Sequence, residues 1–292
     1  MHVAPEASVG RQVDWPRIVQ ALLLVLVPCA CYWPAMNGEF LWDDEVIISH
    51  SAQNGSLHGL WRIWFSTESF DYYPLTNTFF WVQWRWWGSQ TAGYHLFNLT
   101  LHIAGAFLFW RLLRALRLPG AWFAALVFAI HPINVASVAW IAELKNVLSM
   151  MFYLAGLVGF VRWRERSGAS GGWGLYLAAL ACYTLAALAK ASVVMFPCVL
   201  LLMVWWQDGR LRRRDLVSTL PFFAVSLAMG LLSIWFQYHR GMSAEQLAET
   251  PPLAVRMLTA ARAVWFYLDK VVFPYPLAMV YPRWSISAAD PW

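Results

Sequence analysis

Seven stretches of the chain are almost wholly apolar, at residues 18–36, 94–113, 121–138, 147–161, 173–188, 191–206 and 216–236. An α-helix rises about 1.5 Å per residue, so runs of this length approach the ~30 Å hydrocarbon core of a bilayer. The pattern predicts an all-α polytopic membrane protein with about seven transmembrane helices. The first stretch has no small-x-small cleavage signal and reads as an uncleaved anchor. An eighth stretch, 254–273, is apolar but carries Arg256, Arg262, Asp269 and Lys270. Charges at mid-bilayer are costly, so this one reads as a helix lying in the membrane interface.

The polar connections alternate in sign. Arg111, Arg114 and Arg117 follow the second stretch, Arg162, Arg164 and Arg166 the fourth, and Arg210, Arg212, Arg213 and Arg214 the sixth. Arginine-rich connections stay in the cytoplasm. Residues 1–17 are therefore expected to form a cytoplasmic N-terminus, and the alternate loops to face outward. Those outward loops carry Asp43, Asp44, Glu45, Glu68, Asp71 and Glu143. The first of them, 37–93, is long. Its segment Phe79-Phe80-Trp81-Val82-Gln83-Trp84-Arg85-Trp86-Trp87 has the rings and single arginine of a second interfacial helix.

Composition supports the membrane reading: 13% of residues are charged, against about 25% in soluble domains. The net charge of +5 does not point to nucleic acid, because the arginines fall between hydrophobic segments and form no basic stripe. Cys29, Cys31, Cys182 and Cys198 lie inside apolar runs without zinc or disulfide spacing, and read as small buried hydrophobes. Asn98-Leu99-Thr100 matches a glycosylation acceptor but sits within a predicted span.

The acids of Phe40-Leu41-Trp42-Asp43-Asp44-Glu45 follow directly on the first stretch. Sugar transfer from a lipid phosphate needs a carboxylate to take the proton of the acceptor hydroxyl. It also needs cations or hydrogen-bond donors to hold the departing phosphate. Asp43 and Asp44 suit the first task. Adjacent like charges raise one another's pKa, so one is expected to face the site and the other to bind backbone, metal or water. A solvated acidic loop is the plainer alternative. His95, Asn98 and His102 share one face of the second stretch, either lining its outer mouth or forming an interhelical hydrogen-bond stripe. His131 with Pro132 interrupts the third stretch, as a phosphate contact or as a simple helix break. Lys190 lies where two spans turn on the outer side, a functional cation or a snorkelling one. Arg256 is a phosphate partner or a headgroup anchor.

Several segments carry a resemblance in consecutive order. They are Asp43-Asp44, Tyr73-Pro74-Leu75-Thr76, the run from Tyr94-His95 to Leu101-His102, and His131-Pro132-Ile133-Asn134. Ser137-Val138-Ala139-Trp140-Ile141, Lys145-Asn146-Val147-Leu148-Ser149, Leu220-Pro221-Phe222-Phe223, Gln237, Leu277-Ala278 and Tyr281-Pro282 continue it. The chain resembles the membrane half of transmembrane and tetratricopeptide-repeat proteins, which are similar to protein O-mannosyltransferases and other GT-C glycosyltransferases. The resemblance implies a GT-C-like helical bundle over residues 18–292. It implies an inverting transferase that moves a sugar, mannose by the family's example, from a polyprenyl-phosphate donor to a protein or peptide acceptor. The implied setting is the periplasmic face of a bacterial inner membrane, in contact with membrane lipid and without nucleic acid.

By the same resemblance Asp43 and Asp44 are the catalytic carboxylates; the reading of the residues themselves puts His131, Lys190 and Arg256 near the leaving phosphate. Glu45, His95 and His102 are further substrate contacts. The lipid-linked sugar is the donor; no metal ligand is assigned, and a divalent ion is compatible. Family members usually continue into further spans and repeats of about 34 residues; none occurs here, so the chain is expected to be a truncated product or a fragment. Three positions depart from the family pattern. Ala136 replaces a Glu, Leu144 an Arg and Val204 an Asp. The alternative expectation is therefore a catalytically inactive membrane anchor or interaction module.

Overall fold

Five helices are long and apolar enough to cross a membrane: Trp15–Asn37, Thr91–Ala115, Ile141–Arg166, Ala191–Asp208 and Arg213–Arg240. These belong to a computed structural model that describes residues 15–51, 53, 55–68, 71–166, 172–241, 252–278, 280–282 and 284. The described residues contain no strand. A sixth candidate span is broken, its halves Ala121–Ile130 and Pro132–Ala139 bent by 48°. The remaining predicted span is a helix of 17 residues, Trp173–Ala189. The protein is thus an all-α, multi-pass membrane protein with five to six candidate spans by length and composition, where the pattern predicts seven. Residues 1–14, most of the expected cytoplasmic N-terminus, lie outside the described residues.

In chain order the helices are α1 (Trp15–Tyr32), α2 (Leu57–Phe65), α3 (Pro74–Trp87), α4 (Thr91–Ala115), α5 (Ala121–Ile130) and α6 (Val135–Ala139). They continue as α7 (Leu144–Arg166), α8 (Trp173–Ala189), α9 (Phe196–Asp208), α10 (Arg213–Phe236) and α11 (Leu253–Val272). Tyr94 and Leu99 at the start of α4 share a cluster with Leu144 and Leu148 at the start of α7. Leu112 near the end of α4 shares another with Phe160 and Val161 near the end of α7. The two helices therefore run in the same direction, and the bent α5–α6 pair returns the chain between them. The bend has a local cause. Proline has no backbone N–H to continue the ladder, and His131 Nδ1 accepts from Ile133 N at 3.3 Å in its place.

Close approach of α8 to α7 depends on glycine. A Cβ on Gly159 would lie 3.2 Å from Ala179 Cβ, and one on Gly156 would lie 3.1 Å from Phe196 Cζ. Small residues let membrane helices pack backbone to backbone; Ala179, Ala186 and Ala187 on α8 are fully buried. Tyr183 stacks on Phe196 at 4.4 Å, and Phe222 of α10 packs against both.

The bundle has two chemically distinct ends. At one, Arg164 donates to Gln207 and Asp208 at 3.0 and 2.9 Å and lies 3.9 Å from Asp215, tying the ends of α7 and α9 to the start of α10. Leu112 and Leu116 pack into the same region, and Arg17 and Arg114 share a groove there. The three arginine-rich connections thus gather at one end. At the other end lie the acids that follow α1, the turn before α7, and α2 with α3. Thr76 of α3 donates to Ala189 O at the end of α8 (2.9 Å), and Trp64 of α2 donates to Thr78 (3.0 Å).

Helix α11 buries no side chain and meets the bundle where its Val271 carbonyl bonds His131 Nε2 at 3.1 Å. Cys31 and Cys198 are exposed on the outside of the bundle, contrary to the expectation of burial. Lipid-facing positions take the same small apolar residues as the interior, so burial cannot be read from hydrophobicity here.

Candidate functional site

The turn after α1 separates the two aspartates. Asp44 is 1% exposed. Its Oδ2 accepts from Leu41 N at 2.9 Å and its Oδ1 from Ala142 N at 2.6 Å. One carboxylate thereby ties the turn to the segment before α7. Trp140 adds a second tie, its ring packing on Trp42 at 6.0 Å and its Nε1 donating to Leu41 O at 3.4 Å. Trp42 itself sits at φ 45°, a left-handed conformation costly for a side chain of its size. Burial pushes the Asp44 carboxyl up to about 6; the two backbone N–H donors pull against that, and the charge of Asp43 adds to it.

Asp43 is exposed and opens on a cavity of about 720 Å³. Its floor is apolar, from Val46, Ile47 and Phe80. Its polar wall holds His50, Asp71, Tyr73, Asn77 and Lys145, and the Arg62–Glu68 ion pair stands beside them. Burial, with Asp71 and Glu143 nearby, pushes the Tyr73 phenol up to about 12, so it remains a hydrogen-bond donor. A network lies behind this wall. Lys145 pairs with Glu143 at 3.0 Å. Asn146 donates to Glu143 and, at 3.1 Å, to Ser137. Lys190 donates to Asn146 Oδ1. Burial lowers the Lys190 pKa, with Glu143 opposing the shift. The arrangement offers a carboxylate with open access, cations to balance an anion, and neutral donors for hydroxyls.

The other residues expected at the site are dispersed. Lys190 is not among the cavity-lining side chains and is linked to the wall through Asn146 and Glu143. Glu45 starts a π-helical turn (Glu45–Ser49), is exposed, and is not among the cavity-lining side chains. His95 and His102 are buried within the bundle. His95 Nε2 bonds Gly38 O at 3.2 Å, Asn98 donates to Trp140 O at 3.2 Å, and His102 Nε2 bonds Ala129 O at 2.9 Å. These three tie α4 to the chain after α1, to the turn before α7 and to α5. His131 spends both ring nitrogens on Ile133 N and Val271 O. Arg256 is exposed on α11, away from the cavity lining. Among the described residues no group of three His, Cys, Asp or Glu is placed to hold a metal ion.

His50, Arg62, Asn77 and Lys145 line the cavity without having been singled out from the sequence. Lys145 had a signal, as the first residue of the Lys145–Ser149 motif; His50 sits in a stretch with no periodicity to mark it, and the apolar spacing around Arg62 marks a helix but not a role for this side chain. Two of the departures from the family pattern fall in apolar packing. Leu144 is fully buried, and Val204 lies at the arginine-rich end, one helical turn before the Asp208 that pairs with Arg164. Ala136 is exposed on α6.

Fold and cavity together define a multi-pass α-helical membrane protein with a charged cavity at one end of its bundle. Over about half its length this chain is homologous to the TMTC protein O-mannosyl-transferases. It is 28% identical over 159 residues to a protein O-mannosyl-transferase of Caenorhabditis elegans, covering 49% of this chain and 23% of that protein. It is 28% identical to TMTC3 of Mus musculus (49% and 17%) and 34% identical to TMTC2 of the same species (38% and 14%). The matched stretches are thus less than a quarter of those relatives' lengths. No family model and no solved structure matches the chain.

Proposed function

We propose that the protein is a membrane glycosyltransferase of the GT-C type. In this reading it moves a sugar, mannose by the example of its relatives, from a polyprenyl-phosphate carrier to a hydroxyl of a protein or peptide. The observation that carries the reading is Asp43, an exposed carboxylate opening on a cavity of about 720 Å³ that Lys145 and Arg62 also line. The positive-inside rule assigns the arginine-rich end to the cytoplasm, which puts the cavity on the outer face, the periplasmic side in a bacterial inner membrane. Residues 18–292 then form one transmembrane domain and residues 1–17 a cytoplasmic N-terminus.

In the proposed reaction the Asp43 carboxylate takes the proton of the acceptor hydroxyl while that oxygen attacks C1 of the sugar. The C1–O bond to phosphate breaks with inversion, and the polyprenyl phosphate leaves with the bonding electrons. Lys145 and the Tyr73 hydroxyl stabilise the charge that develops on the phosphate. Asp44 touches no substrate; it is a positioning residue that holds the turn bearing Asp43. Lys190 positions Lys145 through Asn146 and Glu143.

The test is transfer from polyprenyl-phosphate mannose to a serine- and threonine-containing peptide by the protein in lipid vesicles. Replacing Asp43→Asn is expected to lower the rate by about 10²–10⁴-fold, the range for loss of a general base. An unchanged rate removes Asp43 from this role. Ala136 favours a second reading, an inactive anchor, because the family's Glu at that place is replaced by an exposed methyl group. That reading predicts no transfer by the unaltered protein from any lipid-linked sugar.

A further inference from the structure

The cavity on which Asp43 opens is lined by a second aspartate that the proposed reaction does not use. Asp71 stands just ahead of Pro74, the first residue of α3. The two cations in the lining are already engaged, Arg62 with Glu68 and Lys145 with Glu143 at 3.0 Å. The charge of Asp71 reaches Lys190, but that ammonium donates to Asn146. Among the described residues the Asp71 carboxylate makes no ion pair and no hydrogen bond. Asn77 of α3 lines the same cavity, and its side-chain amide also engages no partner among the described residues.

The backbone that carries these two groups is held on both sides. Tyr72 donates to Trp64 O at 3.2 Å, and its ring lies 5.3 Å from that of Phe236. Thr76 donates to Ala189 O at 2.9 Å. Asn77 and Phe80 are three residues apart on α3 and share a face, with Phe80 in the apolar floor.

A carboxylate only accepts hydrogen bonds, an amide donates and accepts, and a sugar hydroxyl does both. Neighbouring hydroxyls of a pyranose ring can therefore donate to Asp71 and accept from Asn77, with the C–H face of the ring on the apolar floor. An anionic phosphate is repelled by Asp71 and belongs beside Lys145. We infer that Asp71 and Asn77 grip the hydroxyls of the donor's sugar and set which sugar the protein accepts. The choice of ligand rests on the transferase reading. A site built to bond a substrate hydroxyl discriminates strongly against an analogue without it.

The test measures binding to the full chain in detergent, without acceptor. The ligands are polyprenyl-phosphate mannose, its 2-, 3-, 4- and 6-deoxy forms, and bare polyprenyl phosphate. Asp71→Asn is expected to weaken the mannose donor by about tenfold or more, the worth of a hydrogen bond to a charged group. It should leave bare polyprenyl phosphate unchanged, and the loss should vanish for the deoxy donor that lacks the hydroxyl Asp71 accepts from. Asn77→Ala should also weaken the mannose donor and spare the bare carrier. Equal melting midpoints without ligand establish that the variants fold. Undiminished mannose-donor binding in Asp71→Asn overturns the inference. So does the same loss with every ligand, bare carrier included, which marks a merely structural role. Transfer rates with the same donors separate the two readings. Sugar-dependent binding through Asp71 without any transfer keeps this subsite and sinks the enzyme; transfer by Asp71→Asn with unaltered rate and sugar preference keeps the enzyme and sinks the subsite. Failure of every donor to bind overturns both.

Discussion

Asp43 and Asp44 are neighbours in sequence and opposites in surroundings. One meets solvent in a cavity; the other is sealed under the turn with both oxygens bound by backbone N–H groups. The difference gives Asp44 a pH signature. Its carboxyl sits near 6 in the folded protein against 3.8 unperturbed. Between those values the folded state holds a proton that the unfolded chain has lost. Stability therefore falls as pH rises through that window and is level above it, by on the order of 3 kcal/mol in all. Asp44→Asn removes the titration. The melting advantage of the unaltered protein over this variant should accordingly be larger at pH 4 than at pH 7, and an equal advantage at both contradicts the account. The sequence marks where the acids are, but not which of them meets the cavity. That depends on Trp42's left-handed backbone and on Ala142, which is 98 residues away from Asp44.

At the scale of elements, hydrophobic runs located the long helices well, because a bilayer makes length and apolarity nearly sufficient signals. The short elements that build the cavity were less legible. Helix α2, nine residues long, lies within what the hydrophobic pattern presents as one long loop, although Leu57, Trp61 and Phe65 recur at four-residue spacing. Helix α3 begins at Pro74, five residues before its aromatic segment; proline in the first turn is a start signal that the ring-rich pattern overshadowed. The break at Pro132 splits what the hydrophobic run presents as one span. Packing supplies the prediction at this scale. Gly159 faces Ala179 so closely that Gly159→Val overfills the α7–α8 contact, with an expected loss of about 1–3 kcal/mol. Thermal unfolding in detergent should show a lower midpoint for this variant, and an unchanged midpoint means α8 does not pack as described.

Across the whole molecule, charge and direction agree. Helices α4 and α7 run parallel, α8 returns beside α7, and the arginine-rich connections collect at one end while Asp43, Glu68 and Asp71 collect at the other. The sequence supplied the alternation of arginine-rich and acid-bearing connections, and the packing gathers each kind of connection at one end of the bundle. Everything proposed for catalysis depends on that separation coinciding with the two faces of a membrane. The direct measurement replaces Cys29, Cys31, Cys182 and Cys198 with serine, introduces cysteine at position 43 or 210, and applies a membrane-impermeant maleimide to intact cells. Position 43 should label from outside, and position 210 only after the membrane is opened. Labelling of 210 in intact cells, with 43 protected until lysis, contradicts the proposed site.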